Sequence, residues 1–499
     1  MKNIVIIGAG ISGLSAAIYA QRSGFDVTLC EQHSLTGGMC TSWKRKGYLF
    51  EGSIHWLTGS SPKTELYQLW KETGALNDKV KIFLHEPFQA VEWEGQTISL
   101  YRNIEKTVKQ LLAIFPADRR QLHRLVKHVK AFSRMQMPIN DVKGVKTQNP
   151  KRMTLGSMLK LLPVIPTIVK LSKMTIKDYT EQFKHPAIQQ LFRILAGVSE
   201  QYSSTNLIAT LATLDMGDGG YPEGGSLAMV DRMTKTFTNL GGKLLLNTKV
   251  KKVNIENGIV TGVALENKTL AADAVIVTQE TIAAVDQLFD TPLQEAWLTD
   301  LCKSTKPAVC TFVGIGIRAE IPSIPLRVWN LEKPITYAGR TVSELNFYNY
   351  AAMEGYAPKN CSTLTTILFG DTYDFWKKAK EEGRYEEEKQ HLANQISQAI
   401  CQIYPQAEGN IEVIDIATPL TYERYTGAYH GSWMGIVGKG DKMNSYSGFL
   451  KSVKGLYFAG HRLMSLGGLP VALAAGQQAA QMVCRQFNVL FKNSSENDV

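Results

Sequence analysis

The chain has 499 residues and a formal net charge of +10, with 44% hydrophobic and 20% charged residues, a composition typical of a globular protein with more than one core. It contains no uncharged apolar run of roughly 18 residues, and its seven cysteines form no CxxC motif and no Cys/His spacing of the kind that zinc sites use. These features argue against a membrane-spanning helix, a metal site and a redox dithiol, and they favour a reducing, cytoplasmic location.

The N-terminal residues predict a strand, a glycine turn and a helix that bind a dinucleotide. The three glycines of a G-x-G-x-x-G pattern are Gly8, Gly10 and Gly13, and the helix begins with Ile11 and Ser12. The first glycine suits a tight turn, the second lets the backbone approach a pyrophosphate, and the third lets helix and strand pack closely. Free N–H groups at the helix start then face the phosphates. No secretory n-region precedes the strand, so we expect no signal peptide.

A second strand ends at an acidic residue, Glu31, at the distance expected of a carboxylate that binds ribose hydroxyls and repels a 2′-phosphate. The doublet Gly37-Gly38 follows closely and suits a long cofactor that passes back over this loop. His55 and Trp56 come after the doublet. They are candidates to face the cofactor site, with packing in the core as the alternative.

Residues 76–218 have a mostly helical pattern, and a basic, acid-free segment lies within them. No acid occurs between Asp141 and Asp178, whereas that window holds eight lysines and arginines, so much of the net charge is local. A basic face for nucleic acid is therefore disfavoured. Because the segment is also apolar, residues 142–177 predict a helical lid that contacts a membrane surface. The alternative is a core helix pair capped by lysines.

Residues 219–278 predict a helix, a strand, a hairpin and a further strand, with the hairpin turn at Glu256-Asn257-Gly258. No second G-x-G-x-x-G follows on a strand–helix pattern. The string GIGI at 314–317 lacks the third glycine and falls in a strand-like run. A separate NAD(P)H domain is therefore not expected.

An aromatic, glycine-rich stretch at 418–436 supplies further candidates for a site wall. Its side chains Tyr429, His430 and Trp433 are large enough to line a pocket for a flat ring. Structural packing is the alternative for each of them. No Ser/His/Asp set and no pair of acids stands out, which suits chemistry that a cofactor carries out.

The segment 455–480 predicts a strand that ends at Gly460 and a helix that begins at Pro470, since proline is favoured at the first helical position. Gly467, Gly468 and Leu469 lie immediately before that helix. Glycines leave room for a flat ring at the N-terminus of the helix, and the free N–H groups there stabilise negative charge on a bound ligand. We therefore expect this helix to aim its N-terminus at the second end of the cofactor.

These motifs together resemble the FAD-dependent phytoene desaturase family, which includes carotenoid isomerases and retinol saturases and is related to flavin amine oxidases. The resemblance runs from residue 1 to about 485. It implies FAD as cofactor and places Val250 beside the adenine. One difference is visible: the family's C-terminal GxGxxPG-like run is replaced here by Ser-Leu-Gly-Gly-Leu-Pro at 465–470.

The expected fold is α/β, with a discontinuous Rossmann-type FAD-binding domain, a mixed-sheet substrate domain and a helical lid. The three nucleotide-like segments predict that the FAD domain comprises residues 1–75, 222–300 and 445–490. The substrate domain would then comprise 76–221 and 301–444, with the lid at about 105–200.

The resemblance implies an oxidoreductase that acts on carbon–carbon bonds of a long apolar, polyene-like substrate. Desaturation, saturation and isomerisation share this framework and stay open. A flavin amine oxidase-like enzyme that uses oxygen and a non-catalytic flavin-bearing scaffold are the alternatives. No nucleic acid and no metal is expected as a ligand. Membrane contact through 142–177 would take place at the inner membrane face, and the sequence carries no signal for an oligomeric state.

Overall fold

The structure, a computed structural model, describes residues 1–134, 139–150, 162, 164–195, 200–322, 324–436, 441, 444–465 and 467–494. The strands in these residues are β1 (Asn3–Ile7), β2 (Asp26–Cys30), β3 (Ser42–Arg45), β4 (Tyr48–Glu51), β5 (Ile82–Phe83), β6 (Gln89–Trp93), β7 (Gln96–Leu100), β8 (Tyr221–Pro222), β9 (Lys243–Leu245), β10 (Lys252–Glu256), β11 (Ile259–Ala264), β12 (Thr269–Ala271), β13 (Ala274–Val277), β14 (Lys306–Ala308), β15 (Cys310–Ile317), β16 (Leu326–Tyr337), β17 (Arg340–Asn349), β18 (Ser362–Phe369), β19 (Ile411–Ala417), β20 (Met434–Ile436) and β21 (Leu456–Phe458).

The helices in the same residues are α1 (Ile11–Arg22), α2 (Glu65–Glu72), α3 (Ile104–Ile114), α4 (Arg119–Phe132), α5 (Ile165–Ser172), α6 (Ile176–Thr180), α7 (Pro186–Arg193), α8 (Ser204–Asp215), α9 (Gly225–Asn239), α10 (Thr281–Gln287), α11 (Ala296–Ser304), α12 (Tyr373–Glu381), α13 (Tyr385–Ile403), α14 (Pro419–Thr426) and α15 (Gly468–Phe487). None of the helices in the described part of the chain combines the length and apolar character needed to cross a membrane.

A parallel five-stranded sheet joins distant parts of the chain in the order β21-β13-β1-β2-β9. Its central strands are apolar and buried on both faces, the pattern of a parallel sheet covered on both sides. The register pairs Val5 with Val275 on one side and with Thr28 on the other. All five strands therefore end at one edge of the sheet, which places the turns that follow them side by side.

Helix α1 is buried between this sheet and the C-terminal helix α15. A Cβ atom built on Gly13 would lie 1.9 Å from the Gly8 carbonyl oxygen, so only glycine allows the helix to pack against the turn after β1. On the opposite side, a Cβ on Gly476 would lie 2.3 Å from the carbonyl oxygen of Ser12. The Ser15 hydroxyl also donates to the Leu473 carbonyl at 2.8 Å. The start of α1 is thus fixed by close contacts on two sides.

A second, mixed sheet has the order β19-β15-β18-β17-β16-β6-β7 and packs its apolar face against α12 and α13. The α/β class predicted from the sequence is confirmed by these two sheets and their helices. Gly314 and Gly316 of the string GIGI lie in β15, where added Cβ atoms would contact the rings of Phe50 and Tyr48. These glycines therefore make room for aromatic side chains within the mixed sheet.

The prediction of a mostly helical segment at 76–218 is wrong for its first part. Strands β6 and β7 form a hairpin whose two turn residues, Glu94 and Gly95, both have positive φ angles. Such a two-residue loop matches the twist of paired strands. Val91 and Ile98 are buried opposite each other, and the buried residues of both strands form short continuous runs, which a helical period of 3.6 does not describe.

The remainder of that segment is helical where it is described. Helices α3 to α8 surround a separate apolar cluster, in which Leu122, Leu125 and Val129 of α4 contribute buried side chains. The predicted lid at about 105–200 corresponds to these helices, and its action as a lid stays a prediction.

Residues 151–161 and 163, which carry much of the basic apolar segment, lie outside the described residues. The domain boundaries stay a proposal, although every strand of the parallel sheet falls within the three segments assigned to the FAD domain.

The close contact between α1 and α15 can be tested with Gly476→Val. The new side chain would overlap backbone atoms of α1, so we expect the free energy of unfolding to fall by about 1–3 kcal/mol, measured by urea denaturation. The control Gln478→Val introduces the same β-branched residue at a half-buried position of the same helix. Equal losses in the two variants would mean that a β-branched side chain anywhere in α15, and not the contact with α1, is responsible.

Candidate functional site

The turns after β1, β2, β13 and β21 meet at the carboxyl edge of the parallel sheet, and the space outside this edge is the candidate cofactor cleft. Ligands of such sheets bind outside the carboxyl ends of the strands. A Cβ atom on Gly10 would find no protein atom closer than the Gly37 carbonyl oxygen, at 3.7 Å, and one on Gly460 would find none within 4 Å. Gly38 lies against Gly10, with 3.5 Å from its Cβ position to the Gly10 Cα. Several glycines therefore border free space along this edge.

The turn after β1 has the geometry that its three glycines predict. Gly8 has a φ of 98°, Gly10 precedes the first helical residue, and the N–H of Gly37 donates to the Ala9 carbonyl at 2.8 Å. Ser12, in the first turn of α1, has a buried hydroxyl oxygen without a hydrogen-bond partner. Buried polar atoms are normally paired, so this hydroxyl indicates a ligand atom at the helix N-terminus.

Glu31 lies at the end of β2 with 8% of its surface exposed. One carboxylate oxygen accepts from the Ala9 N–H at 2.8 Å, and the other accepts from the His33 N–H at 2.9 Å. The acid is thereby held against the glycine turn, and each oxygen keeps lone pairs for a further donor such as a sugar hydroxyl. Val250 is buried nearby, since the N–H of Thr248 donates to the Glu31 carbonyl at 2.8 Å.

The C-terminal helix reaches the same edge from the other side. Helix α15 begins at Gly468 and not at Pro470, so the prediction of its first residue is corrected by two positions. Gly467 precedes it with a φ of 57°, and an added Cβ there would lie 3.2 Å from the His461 Nδ1 atom. Leu469 is the second residue of the helix. Burial and the neighbouring Arg462 lower the pKa of His461 to about 3, so this imidazole is neutral.

A buried ion pair ties two of the loops along the edge together. Arg462, after β21, bonds to Glu280, after β13, at 2.9 Å, and both side chains are at most 5% exposed. The second Glu280 oxygen accepts from the Ala283 N–H at the start of α10. The glycines beside free space, the unpaired Ser12 hydroxyl and the carboxylate of Glu31 all lie along the carboxyl edge of the parallel sheet. The residues present therefore fit an extended dinucleotide.

A second candidate site is built around the end of β4 and the loop that follows this strand. Glu51 ends this strand, is fully buried, and accepts bonds from the Tyr221 hydroxyl, the Ser226 N–H and hydroxyl, and the N–H groups of Ser53 and Ile54. Burial raises the pKa of its carboxyl. A Cβ on Gly225 would lie 2.3 Å from the carboxylate, so the glycine lets the acid approach the start of α9.

This network supports one side of an aromatic cavity of about 30 Å³. Its lining is aromatic or apolar apart from a few polar atoms, and none of the lining residues is an acid, a lysine or an arginine. They are His55, His85, Phe88, Tyr221, Pro325, Leu326, Tyr348, Asn349, Tyr350 and Met353. The loop that carries His55 is tied to the Gly37-Gly38 loop, because the Gly52 N–H donates to the Thr41 carbonyl at 3.1 Å. The cavity and the cofactor cleft are thus one loop apart.

His55 contacts Tyr348, with 4.3 Å between the ring centroids. Burial lowers the pKa of His55 to about 4, so the imidazole is neutral near pH 7. His85 and Tyr348 were missed in the sequence, where neither lies in a motif. They meet His55 only because the loop after β4, the loop after β5 and strand β17 converge.

The structure does not bring the four predicted catalytic candidates together. Tyr429 lines a polar cleft of about 310 Å³ with Gln32 and Lys249, which adjoin Glu31 and Val250 in the chain. His430 stacks on Tyr429 and on Tyr373, with centroid distances of 4.0 and 4.5 Å.

Trp433 packs against Phe369 at 5.8 Å, away from the lining of the aromatic cavity. Only His55, of the four candidates, lies in that cavity. The described residues contain no group of three His, Cys, Asp or Glu side chains placed to hold a metal ion.

Comparison with known proteins gives consistent matches along the whole chain. A family model described as flavin containing amine oxidoreductase matches residues 11–484. The 1-hydroxycarotenoid 3,4-desaturase of a Flavobacterium species is 23% identical, over 97% of this chain and 99% of that protein. A lycopene-forming phytoene desaturase of a Paracoccus species is 28% identical over 55% and 54% of the two chains. The all-trans-retinol 13,14-reductase of Danio rerio is 22% identical over 93% and 83%.

Similar solved structures include a putrescine oxidase variant, with a TM-score of 0.62 and 16% identity over 97% of this chain and 98% of that one. An oxidoreductase from Methanosarcina mazei has a TM-score of 0.61 and 17% identity over 96% and 99%. At these identities the structural matches concern the fold alone.

The role of the glycine turn can be tested with Gly10→Val and Gly10→Ala. We expect Gly10→Val to abolish FAD binding, because its side chain would occupy the space through which the backbone approaches a pyrophosphate. The alanine methyl meets no protein atom closer than 3.7 Å, so any loss of binding in Gly10→Ala must come from the ligand side. Binding is measured by titrating cofactor-free protein with FAD.

The free energy of unfolding of the cofactor-free protein is the control for both variants, and we expect it to change by less than about 1 kcal/mol. Normal FAD affinity in Gly10→Val would show that the pyrophosphate does not pass this turn.

Proposed function

The chain belongs to the flavin-containing amine oxidoreductase family and is an FAD-dependent oxidoreductase, and from this premise we propose that it acts on carbon–carbon bonds of a long apolar polyene. The observation that carries the proposal is the aromatic cavity, whose lining contains no ionised side chain at neutral pH. Burial lowers the pKa of both His55 and His85, which keeps them neutral. A neutral lining of this kind suits an uncharged substrate.

The relatives support the same substrate class. Two of the curated proteins that match the chain over most of its length are named as a carotenoid desaturase and a retinol reductase. Desaturation, saturation and isomerisation of a polyene all lie within the proposal. The amine oxidase-like alternative is less well supported, because the lining of the cavity contains no carboxylate to pair with an alkylammonium group. The carboxylate adjoining the cavity, Glu51, is already occupied by several donors.

FAD, when bound, supplies the acceptor or donor of the electron pair. The residues of the chain bind and orient it. We propose that Gly8, Gly10, Gly13, Ile11 and Ser12 receive the pyrophosphate at the start of α1.

We further propose that Glu31 accepts the ribose hydroxyls, with Val250 at the adenine side. The remaining residues proposed to border the cofactor are Gly37, Gly38, Gly460, Gly468 and Leu469. The start of α15 then directs free N–H groups toward developing negative charge. Catalytic assignments for His55, Tyr429, His430 and Trp433 stay open, and only His55 lines the proposed substrate cavity.

The proposal is tested by mixing the FAD-loaded enzyme with polyenes and with amines in the absence of oxygen. We expect a hydrogenated polyene to bleach the visible flavin absorption, or a polyene to restore it after chemical reduction, while amines do neither. Chromatography of the products distinguishes desaturation, saturation and isomerisation. The Gly10→Val variant serves as the FAD-free control. Flavin reduction by amines, with peroxide released under air, would contradict the proposal. No flavin response to either class, together with an unchanged polyene on chromatography, would favour a non-catalytic role.

We also propose that the substrate is reached from a lipid surface through the region around α5. Leu171 of this helix is buried in the helical core, whereas Leu162, Ile165 and Val169 are 58%, 46% and 48% exposed. Lys170 and Lys173 are exposed beside them. Apolar side chains bordered by lysines favour adsorption to an anionic membrane, to which each lysine contributes about 1 kcal/mol. The inner face of the cytoplasmic membrane is the proposed place of contact.

Liposome flotation tests this surface. We expect the protein to float with vesicles that contain anionic lipid, and Lys170→Glu with Lys173→Glu to reduce the bound fraction several-fold, since two attractive charges become repulsive. The control Lys377→Glu with Lys380→Glu makes the same charge change on exposed residues of α12. If binding does not depend on anionic lipid, or if both double variants behave alike, α5 is not the contact surface.

A further inference from the structure

The aromatic cavity contains unpaired polar atoms in an otherwise apolar lining. The His55 Nε2, the His85 Nε2 and the Tyr348 hydroxyl oxygen are buried and have no hydrogen-bond partner. Tyr348 is 7% exposed. Burying a polar group without a partner costs about 1–3 kcal/mol, and here three such groups line one small space.

The other polar groups of the same lining are satisfied. The Tyr221 hydroxyl donates to Glu51 at 2.9 Å, and the Tyr350 hydroxyl lies 3.5 Å from that of Thr365. The Asn349 amide donates to two backbone carbonyls, of which that of Pro322 is at 3.1 Å. These three atoms are therefore the unpaired ones in the lining, and they point to a ligand that binds in this cavity.

Resting on the function proposed above, we infer that His55, His85 and Tyr348 form a subsite for a neutral oxygen group, a hydroxyl or a carbonyl, at one end of the apolar substrate. A hydroxyl accepts a hydrogen bond from Tyr348 and donates one to an imidazole nitrogen. A carbonyl accepts from Tyr348 and from an imidazole N–H. Both histidines are available as neutral partners.

The charge and size of the cavity exclude other end groups. An ammonium group would find no carboxylate in the lining, and a carboxylate group would find no lysine or arginine. A volume of about 30 Å³ accommodates a small group but not a polyene chain, so the cavity receives only the end of the substrate. Phe88 of the lining also belongs to the apolar cluster of helices α3 to α8, and Trp56 packs against it at 6.1 Å. The rest of the chain would extend toward that helical cluster.

The subsite is tested by comparing ligands that differ only at one end. The probes are all-trans-retinol, the corresponding aldehyde, and the hydrocarbon in which a methyl group replaces the CH₂OH. Their dissociation constants are measured with the FAD-loaded full chain by quenching of tryptophan fluorescence. We expect the alcohol or the aldehyde to bind about tenfold more tightly than the hydrocarbon, which corresponds to about one satisfied hydrogen bond.

Tyr348→Phe should reduce this ratio to near one while leaving the affinity for the hydrocarbon unchanged, because only the donor is removed. Tyr350→Phe is the matched control, since its hydroxyl lines the same cavity but has a partner in Thr365. His55→Gln provides a second variant if Tyr348→Phe fails to retain FAD, and it should lower the ratio as well.

The possible results separate this inference from the function on which it rests. If the wild-type protein binds hydrocarbon and alcohol equally, the subsite holds at most water and the inference is wrong, while action on polyenes still stands. The inference is also overturned if Tyr348→Phe and Tyr350→Phe lower the ratio alike. If no polyene binds and amines reduce the flavin, the proposed function itself fails.

Discussion

Helix α1 is held on two sides at distances that only glycine permits, and the cofactor cleft depends on this constraint. Gly13 lets the helix pack against the turn after β1, and Gly476 lets α15 pack against the first turn of the same helix. Because α1 cannot shift without overlapping one neighbour, its N-terminal N–H groups keep one position relative to the sheet edge. Helix α15 packs along α1, and its first residue, Gly468, follows the loop after β21 at the same sheet edge.

The second organising element is the buried carboxylate of Glu51. Its donors come from the following loop, from the start of α9 and from Tyr221, whose hydroxyl also pairs with that of Tyr356. Removing one member of such a network would leave a buried charge or donor unpaired, at a cost of about 1–3 kcal/mol or more. The network therefore holds the loop carrying His55 in place, between the cofactor cleft and the aromatic cavity.

Charged acidic and basic side chains occur at the candidate cofactor cleft and on the surface around α5, but not in the lining of the aromatic cavity. Ionised groups are kept at the sheet edge, where Glu31 meets backbone donors and Arg462 meets Glu280. The aromatic cavity contains none, and its histidines are neutral because burial disfavours the imidazolium. Exposed lysines beside apolar side chains occur around α5. This distribution supports the proposed entry of an apolar substrate from a basic surface.

The glycine turn at the sheet edge was predictable from the sequence because its determinants are local: a strand, a glycine turn, a helix and Glu31 lie within about thirty consecutive residues and obey short-range backbone geometry. The helix after the C-terminal glycines was predicted for the same reason, although its predicted first residue, Pro470, lies two positions after the actual one, Gly468.

The aromatic cavity, by contrast, had no signal in the sequence. His55, His85 and Tyr348 become neighbours only when β17 of the mixed sheet approaches two loops far from it in the chain. Likewise, Tyr429 was separated from His55 by the packing of α14 near Glu31. Contacts between distant residues depend on how whole sheets and helices pack, which residue spacing along the chain does not encode.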